Sequence, residues 1–546
     1  MDWNSNTSIG FVFILAFLSI LKISGFWNSS TSIVLVLILV FLSILKTAGS
    51  WNNRQRQNFP PGPRPLPIIG NLLLFDLKRP YRTYLQLSKI YGPVFSVQMG
   101  HRKVVVISGY ETVKEALVNQ ADAFAERPKI PVFEDLTKGN GVVFAHGENW
   151  KVMRRFTLTA LRDFGMGKKA IEDRIVEEYG HLADSIASHD GIPFDASKII
   201  NAAVANIIVS ILLGKRFDYK DSRFVRLINL ANENMRLAGK PLVTMYNIFP
   251  YLGFLIRANK ALLRNRDEFH DFVRVTFVKH LKDLDKNDQR SFIDAFLVKQ
   301  QEEKSTTNGY FHSGNLLSLV SNLFTAGVET ISTTLNWGFL LMLKYPEIQK
   351  KVQEEIEQVI GSNPPRIEHR AQMPYTDAVI HEIQRFANIL PLDLPHETAA
   401  DVTLQGYFIP KGTYIIPLLT SVLKDQSQWE KPDMFYPEHF LDANGKFVKK
   451  DAFMPFSAEE LMTLAVPRSS FPDLSPDVPA ESTSRECQGG GSVLGKLLPK
   501  WSSSSSSPVS CRGSTSTLHL EFPAQTWTSA LPFHLMSSPN PTKCVL

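Results

Sequence analysis

The sequence predicts a mainly α-helical fold with a minor β-sheet. Most long apolar patterns repeat with a helical period, whereas only short runs are rich in β-branched and aromatic residues. The helical patterns lie at residues 149–161, 168–188, 202–213, 264–284, 318–343, 346–360 and 372–388. The strand-like runs lie at residues 94–99, 103–108, 402–409 and 414–417.

The composition is that of a globular protein. The chain has 546 residues, of which 44% are hydrophobic and 21% are charged. These fractions exclude disordered, collagen-like and disulfide-scaffold classes. The net charge of +6 is too small for this length to indicate a nucleic-acid partner, so none is expected.

The three cysteines all lie near the C-terminus, at Cys487, Cys511 and Cys544. The 486 residues before them therefore contain no thiolate, either as a nucleophile or as a metal ligand. We assign no metal-ligating residue from the sequence.

The N-terminus is predicted to be a duplicated membrane anchor, residues 1–50. Two apolar runs, 9–21 and 33–45, are near-copies with a period of 24 residues, and a lysine follows each. With its flanks, each unit reaches the ~20 residues that a membrane-spanning helix needs. A removed signal peptide is the alternative, although no small-residue cleavage site clearly follows either run.

The segments after the anchor set its orientation and the domain boundaries. Arg54 and Arg56 favour a cytosolic body, with one or two spans left open. Five prolines between positions 60 and 67 make residues 51–67 a stiff hinge or, alternatively, a disordered linker. Residues 68–458 form one predicted folded body. Residues 459–546 form a predicted disordered tail, with 18 serines and 10 prolines among 88 residues.

The first chemically suggestive motif lies in the long apolar helix that includes Ser318. Ala326 and Gly327 are small, and glycine inside a helix costs about 1 kcal/mol relative to alanine. Such residues suit a place where a flat ligand approaches the backbone. Glu329 and Thr330 follow, and a threonine hydroxyl can bond its own helix. A purely structural role is the alternative for this motif.

A second motif places Glu382 and Arg385 three residues apart on one helix face, where an ion pair forms easily. On spacing alone a solvated surface pair is favoured. An irregular aromatic and proline segment follows, and its His439 is placed to contact Glu382.

A third motif places Trp150 and Arg154 four residues apart on one helix face. Together with a distant His396, they could hold the carboxylates of an anionic ligand through charge-assisted hydrogen bonds. An ordinary amphipathic helix is the alternative.

In this order, the motifs resemble those of the cytochromes P-450, the haem-thiolate monooxygenases. The similarity is to the vertebrate microsomal subgroup that oxidises drugs, steroids and fatty acids, and it covers residues 9–458. The resemblance includes the proline hinge, the Trp150–Arg154 pair, the segment around Thr330, the Glu382–Arg385 pair, and a proline–histidine pair at His396. It implies a cytochrome P-450 fold.

The resemblance also implies roles for single residues. Trp150, Arg154 and His396 would bind haem propionates. Thr330 and Glu329 would help to protonate dioxygen at the haem, and Ala326 and Gly327 would let the helix pass over the haem face. Glu382, Arg385 and His439 would form a structural cluster on the opposite side. A basic docking face for an acidic reductase is expected from five residues: Lys151, Arg154, Arg155, Lys168 and Lys169.

At the level of the whole protein, the resemblance implies a monooxygenase of the endoplasmic-reticulum membrane with its body facing the cytosol. The cofactor would be haem b. Electrons would come from NADPH through NADPH-cytochrome reductase, with a cytochrome b-type donor as a second source. The substrate would be a lipophilic small molecule.

One diagnostic element of the family is missing. Its haem-ligand motif begins correctly at Phe456, but Thr463 stands where the family has the axial cysteine. A neutral hydroxyl cannot replace a thiolate. The ligand loop and the helix after it are therefore predicted to be absent. Residues 488–495 can be back-translated with permitted codons that encode Gly-Arg-Arg-Lys-Cys-Ala-Gly when they are read two nucleotides out of frame. The tail is therefore predicted to lie outside the family's reading frame.

Two functions remain open from the sequence. One is an active monooxygenase, which would need an unusual ligand such as Cys487. The other is a splice or frame variant that lacks the axial thiolate and is catalytically inactive.

Overall fold

The computed structural model describes residues 58–164, 169–190, 192–253, 259–303 and 309–457, together with two short strands near the C-terminus. The predicted anchor and nearly all of the predicted tail lie outside these residues. Fourteen α-helices are found in the described part. They are α1 (Pro80–Tyr91), α2 (Tyr110–Lys114), α3 (Pro131–Thr137), α4 (Gly147–Asp163), α5 (Lys169–Ala187), α6 (Ala196–Leu213), α7 (Ser222–Ala238), α8 (Pro241–Ile248), α9 (Lys260–Lys282), α10 (Phe292–Glu302), α11 (Ser313–Lys344), α12 (Pro346–Val359), α13 (Pro374–Ala387) and α14 (Leu419–Leu423).

Shorter helical turns connect several of these elements. A π-helix, Glu115–Asn119, continues α2. The 3₁₀-helices are Leu72–Leu74, Ala121–Phe124, Pro250–Leu252, Ile367–Gln372 and Pro437–Phe440.

The strands are β1 (Val94–Met99), β2 (Arg102–Ser108), β3 (His396–Glu397), β4 (Val402–Leu404), β5 (Tyr407–Ile409), β6 (Tyr414–Leu418), β7 (His519–Leu520) and β8 (Cys544–Val545). The main sheet has the order β1-β2-β6-β3, in which β2 and β6 are parallel and the other neighbours are antiparallel. The pairs β4-β5 and β7-β8 are antiparallel. This sheet places His396, from the last third of the chain, beside Ile415 of β6.

The described part of the proline segment is fixed against the sheet. Ser96 of β1 donates from its backbone N to Pro61 O at 2.7 Å and from its hydroxyl to Pro60 O at 2.8 Å. Gly62 belongs here because a Cβ at this position would collide with the Ser96 carbonyl oxygen. Residues 58–67 are therefore held by tertiary contacts.

The helical core is built around α11, along which α6 packs. Both helices contribute mainly aliphatic and aromatic side chains to the largest buried cluster. By length and composition, α6 alone among the described helices could cross a membrane, but 67% of its apolar window is buried inside the body. It is therefore a core helix of this fold.

The predicted mainly helical class with a minor sheet is confirmed. The predicted helix at residues 202–213 begins six residues too late, because Asp195 caps α6 by accepting a hydrogen bond from Ser197 N at 3.1 Å. The predicted strand at 402–409 is instead the hairpin β4-β5. Helix α7 was not predicted, although Phe224, Leu227, Ile228 and Ala231 give it an apolar face with helical spacing.

Candidate active site

Helix α11 presents one exposed small residue in the middle of a buried stretch. Leu323, Phe324, Gly327 and Val328 are buried, whereas Ala326 between them is exposed. An exposed position surrounded by core residues shows that space lies next to the helix there. Gly327 is buried instead, so the two small residues predicted to act together differ in their exposure.

The polar residues that follow lie one turn further along α11. Thr330 Oγ1 donates to Ala326 O at 2.8 Å, so the hydroxyl lies over the exposed alanine and keeps its lone pairs for another donor. Burial raises the pKa of the Glu329 carboxyl to about 7. This carboxyl can therefore bind or release a proton near neutral pH.

Three basic side chains, one of them in β3, lie close in space. Burial and the Arg127 charge lower the pKa of Arg154 to about 10, and the same two causes hold the pKa of His396 well below its usual value. Arg127 itself donates to Leu394 O at 3.3 Å and Pro395 O at 2.9 Å. We call Arg127, Arg154 and His396 the cationic cluster.

Arg127 was missed by the sequence interpretation. It lies in the loop before α3, outside any periodic pattern, and no spacing connects it to Arg154 or to His396. Arg127 stands between the charged residues Glu126 and Lys129, so the sequence offers no signal that distinguishes it.

Trp150 supports Arg154. The Arg154 guanidinium lies 5.1 Å from the centre of the Trp150 ring, a cation–π contact. The Trp150 indole N–H donates to Val142 O at 3.1 Å. In this structure the indole is therefore committed to the backbone rather than free to bind a ligand.

Asparagines of α11 attach the loop before α4 to the long helix. Gly141 N donates to Asn315 Oδ1 at 3.0 Å, and Val142 N donates to Asn322 Oδ1 at 3.1 Å. Asn315 also donates to Asn149 Oδ1 at 2.7 Å, which joins α4 to α11. The helix that carries Arg154 is thus anchored to the helix that carries Ala326.

The Glu382–Arg385 pair is completely buried. Two parallel hydrogen bonds of 2.7 Å join the guanidinium to the carboxylate. Arg385 also donates at 2.8 Å to the carbonyls of Leu423, Pro432 and Met434. The spacing favoured a solvated surface pair. That prediction is wrong, because the loop from 423 to 436 covers the two side chains.

His439 completes this buried cluster. Its Nδ1 lies 3.2 Å from Glu382 Oε2, and its Nε2 accepts from Lys431 N at 3.1 Å. Because the backbone N–H can only donate, Nε2 carries no proton and Nδ1 donates to the carboxylate. The cluster joins α13 to the segment that ends at Phe440.

The predicted basic docking face is incomplete. Arg154 is buried, so it cannot lie on a solvent-exposed face, and Lys151 pairs with Glu148 at 2.7 Å. Arg155 is exposed. Lys168 and the side chain of Lys169 lie outside the described residues, as do Thr463 and Cys487.

The residues on α11 and in the cationic cluster fit a flat ligand that carries carboxylates. Ala326 leaves space for a flat face, and two arginines and a histidine with an unpartnered buried nitrogen supply the polar end. The propionate-bearing haem implied by the sequence resemblance has this chemistry.

Comparison with known proteins supports the same family. The cytochrome P450 family profile matches residues 60–458. Cytochrome P450 2K1 of Oncorhynchus mykiss is 52% identical over 402 residues, which cover 73% of this chain and 80% of that protein. Cytochrome P450 2K6 of Danio rerio is 48% identical, with 72% and 78% covered. Cytochrome P450 2F2 of Rattus norvegicus is 47% identical, with 75% and 84% covered.

Proposed function

Because this chain belongs to the cytochrome P450 family, whose cofactor is haem, we propose that it is a membrane-bound monooxygenase. It would insert one oxygen atom of dioxygen into a lipophilic organic substrate. Two separate observations support this proposal: Ala326 is exposed within a buried stretch of α11, and Arg127, Arg154 and His396 form the cationic cluster.

Binding of the cofactor would use both features. Arg127 and Arg154 would hold its carboxylates by charge-assisted hydrogen bonds, with His396 beside them. Trp150 would orient Arg154 through its ring, and its N–H would reach a carboxylate only after releasing Val142 O. Ala326 would allow a flat ring to approach the helix. When bound, haem would supply the redox chemistry by which dioxygen is activated.

Residues of α11 would manage protons next to that site. Glu329 has a pKa of about 7, so it can exchange a proton with solvent at neutral pH. Thr330 lies one residue further on, and its hydroxyl can accept a hydrogen bond while donating to Ala326 O. Together they would deliver protons during turnover.

The substrate, the electron donors and the membrane location also belong to the proposed function. The substrate would be a lipophilic molecule such as a xenobiotic, fatty acid or steroid, as the family resemblance implies. Electrons would come from NADPH through NADPH-cytochrome reductase or from a cytochrome b-type donor. The duplicated apolar N-terminus would anchor the chain in the endoplasmic-reticulum membrane with its body in the cytosol.

A second candidate function follows from the cysteines. Cys487, Cys511 and Cys544 all lie beyond the matched residues 60–458, and Thr463 stands at the ligand position. In that case the chain keeps the cytochrome P450 body but lacks the thiolate ligand, binds haem weakly or not at all, and has no monooxygenase activity.

The spectrum of the reduced, carbon-monoxide-treated full chain decides between these functions. Thiolate ligation produces a strongly red-shifted Soret band, which the monooxygenase proposal requires. An ordinary haem band, or no haem band at all, would support the thiolate-free alternative. If the shifted band appears, Cys487→Ala tests whether that cysteine is the ligand, because its loss would abolish the shift.

A further inference from the structure

A buried carboxylate lies next to the cationic cluster. The Asp393 side chain is only 4% exposed, and its Oδ2 accepts from Ser457 Oγ at 2.5 Å. Its Oδ1 accepts from Leu394 N at 2.7 Å. The Asp393 backbone has φ of 56°, in the left-handed region that favours glycine. An aspartate held here at a conformational and desolvation cost calls for a functional reason.

The imidazole that faces this carboxylate has a defined tautomer. His396 Nδ1 lies 2.8 Å from Phe124 O, and because a carbonyl can only accept, Nδ1 carries the proton. Neutral His396 therefore presents a lone pair at Nε2. That atom is buried and has no hydrogen-bond partner among the residues that the structure describes. It lies 3.9 Å from Asp393 Oδ2.

A carboxylate ligand at the cluster would meet two unfavourable groups. The ionised Asp393 repels it, and the Nε2 lone pair of His396 cannot donate to it. The positive charge of Arg127 acts on both Asp393 and His396, and it attracts the carboxylate of the ligand. A proton added to Asp393 would remove its repulsion of the ligand carboxylate. A proton added to His396 Nε2 would give that atom an N–H group to donate to the ligand.

We propose that binding of a carboxylate ligand to the cationic cluster is coupled to the uptake of one proton from solvent, which Asp393 and His396 hold between them. This inference rests on the proposed role of the cluster as the carboxylate-binding part of the haem site. Asp393 is on this account a positioning residue, because it acts through the protonation of the cluster rather than by touching reacting atoms.

The electrostatics of the free chain agree with this coupling. Burial raises the pKa of the Asp393 carboxyl to about 6, against the opposing effects of Ser457 and Arg127. Burial and Arg127 lower the pKa of His396. Without a ligand the pair therefore holds no extra proton above about pH 6. A second carboxylate nearby favours the protonated form, so ligand affinity must fall as the pH rises above that value.

The test is a titration of the haem-free full chain with haemin, followed by quenching of tryptophan fluorescence, between about pH 6 and pH 8. Uptake of one proton predicts that Kd rises up to about tenfold per pH unit. Haemin dimethyl ester, which has no carboxylates, should bind with a Kd that does not change with pH. Asp393→Asn should bind haemin more tightly than the wild type at the high-pH end, with a nearly flat pH profile.

Two further variants keep the result interpretable. Ser457→Ala removes a hydrogen bond but leaves the charge, so it should keep the wild-type slope. Asp393→Gly suits the left-handed backbone and should reproduce the flat profile if Asp393→Asn folds poorly. An unchanged slope in both Asp393 variants, an equal slope for the ester, or no haemin binding by any variant would overturn the proposal. The carbon-monoxide spectrum tests the monooxygenase function separately.

Discussion

Arg385 and Glu382 form a two-point ion pair from which water is fully excluded, and the same guanidinium also binds three backbone carbonyls. The pair joins α13 to a loop that has little regular structure of its own. Because the charges satisfy each other and the loop carbonyls, the loop is held without a sheet or a helix. Removing one partner would leave a buried charge uncompensated.

Arg385→Lys keeps the positive charge but loses at least two charge-assisted hydrogen bonds, so we expect it to lower the free energy of unfolding by about 3–6 kcal/mol, at roughly 1.5–3 kcal/mol for each bond. Lysine cannot make the paired hydrogen bonds, nor can it reach all three carbonyls. Urea denaturation measures the change. The exposed pair of Arg226 and Glu268 has the same two-point geometry, with both bonds at 2.6 Å, and provides the control. Arg226→Lys should cost under about 1 kcal/mol, and equal losses in both variants would contradict this account.

Arg127→Gln should weaken haemin binding by about 10- to 100-fold, because a charge-assisted hydrogen bond contributes roughly 1.5–3 kcal/mol. Titration at the Soret band measures the affinity. Arg155→Gln changes an exposed arginine next to Arg154 and should leave the affinity unchanged. If Arg127→Gln bound haemin as tightly as the wild type, Arg127 would not belong to the carboxylate site.

Glu329→Gln should stabilise the haem-free chain at alkaline pH and leave it unchanged at acidic pH. The folded-state pKa of about 7 lies above the usual 4.5, so the folded chain binds this proton more tightly than the unfolded chain. Stability is therefore lost as the pH rises from about 4.5 to 7, by up to about 3 kcal/mol. Thermal unfolding at several pH values measures this. Exposed Glu357→Gln serves as the control, and matching pH profiles for wild type and Glu329→Gln would refute the assignment.

Tyr246→Phe should loosen α3. The Tyr246 hydroxyl and Asn259 Nδ2 donate to Asp135 Oδ2 at 2.7 and 2.6 Å, so one carboxylate of α3 binds both α8 and the start of α9. Loss of one bond to a charged acceptor costs about 1.5–3 kcal/mol. Hydrogen exchange of the α3 amides, followed by mass spectrometry, should accelerate at least several-fold. Tyr81→Phe on α1 is the control. Unaltered exchange of the α3 amides in Tyr246→Phe would show that the hydrogen bond from Tyr246 to Asp135 does not hold α3 in place.

The sequence predicts the residues on periodic helices better than the residues in loops. Helices α11 and α13 have long apolar faces, so their positions and the side chains of Thr330 and Glu382 followed from periodicity and motif order. Arg127 and Asp393 lie in loops, where spacing carries no information about neighbours. Arg127 lies near His396 because a bridge between Glu126 and Glu397 joins its loop to β3, and no local pattern reveals that pairing. The burial of Glu382 and Arg385 likewise depends on a distant loop.

We propose that the body of this chain retains a haem site that includes the cationic cluster and the open face of α11. The most direct measurement is the stoichiometry of haemin bound by the purified full chain, determined from the Soret band. This account predicts one haemin per chain, with binding weakened by Arg127→Gln and unaffected by Arg155→Gln. A chain that is folded by circular dichroism but binds no haemin would contradict it.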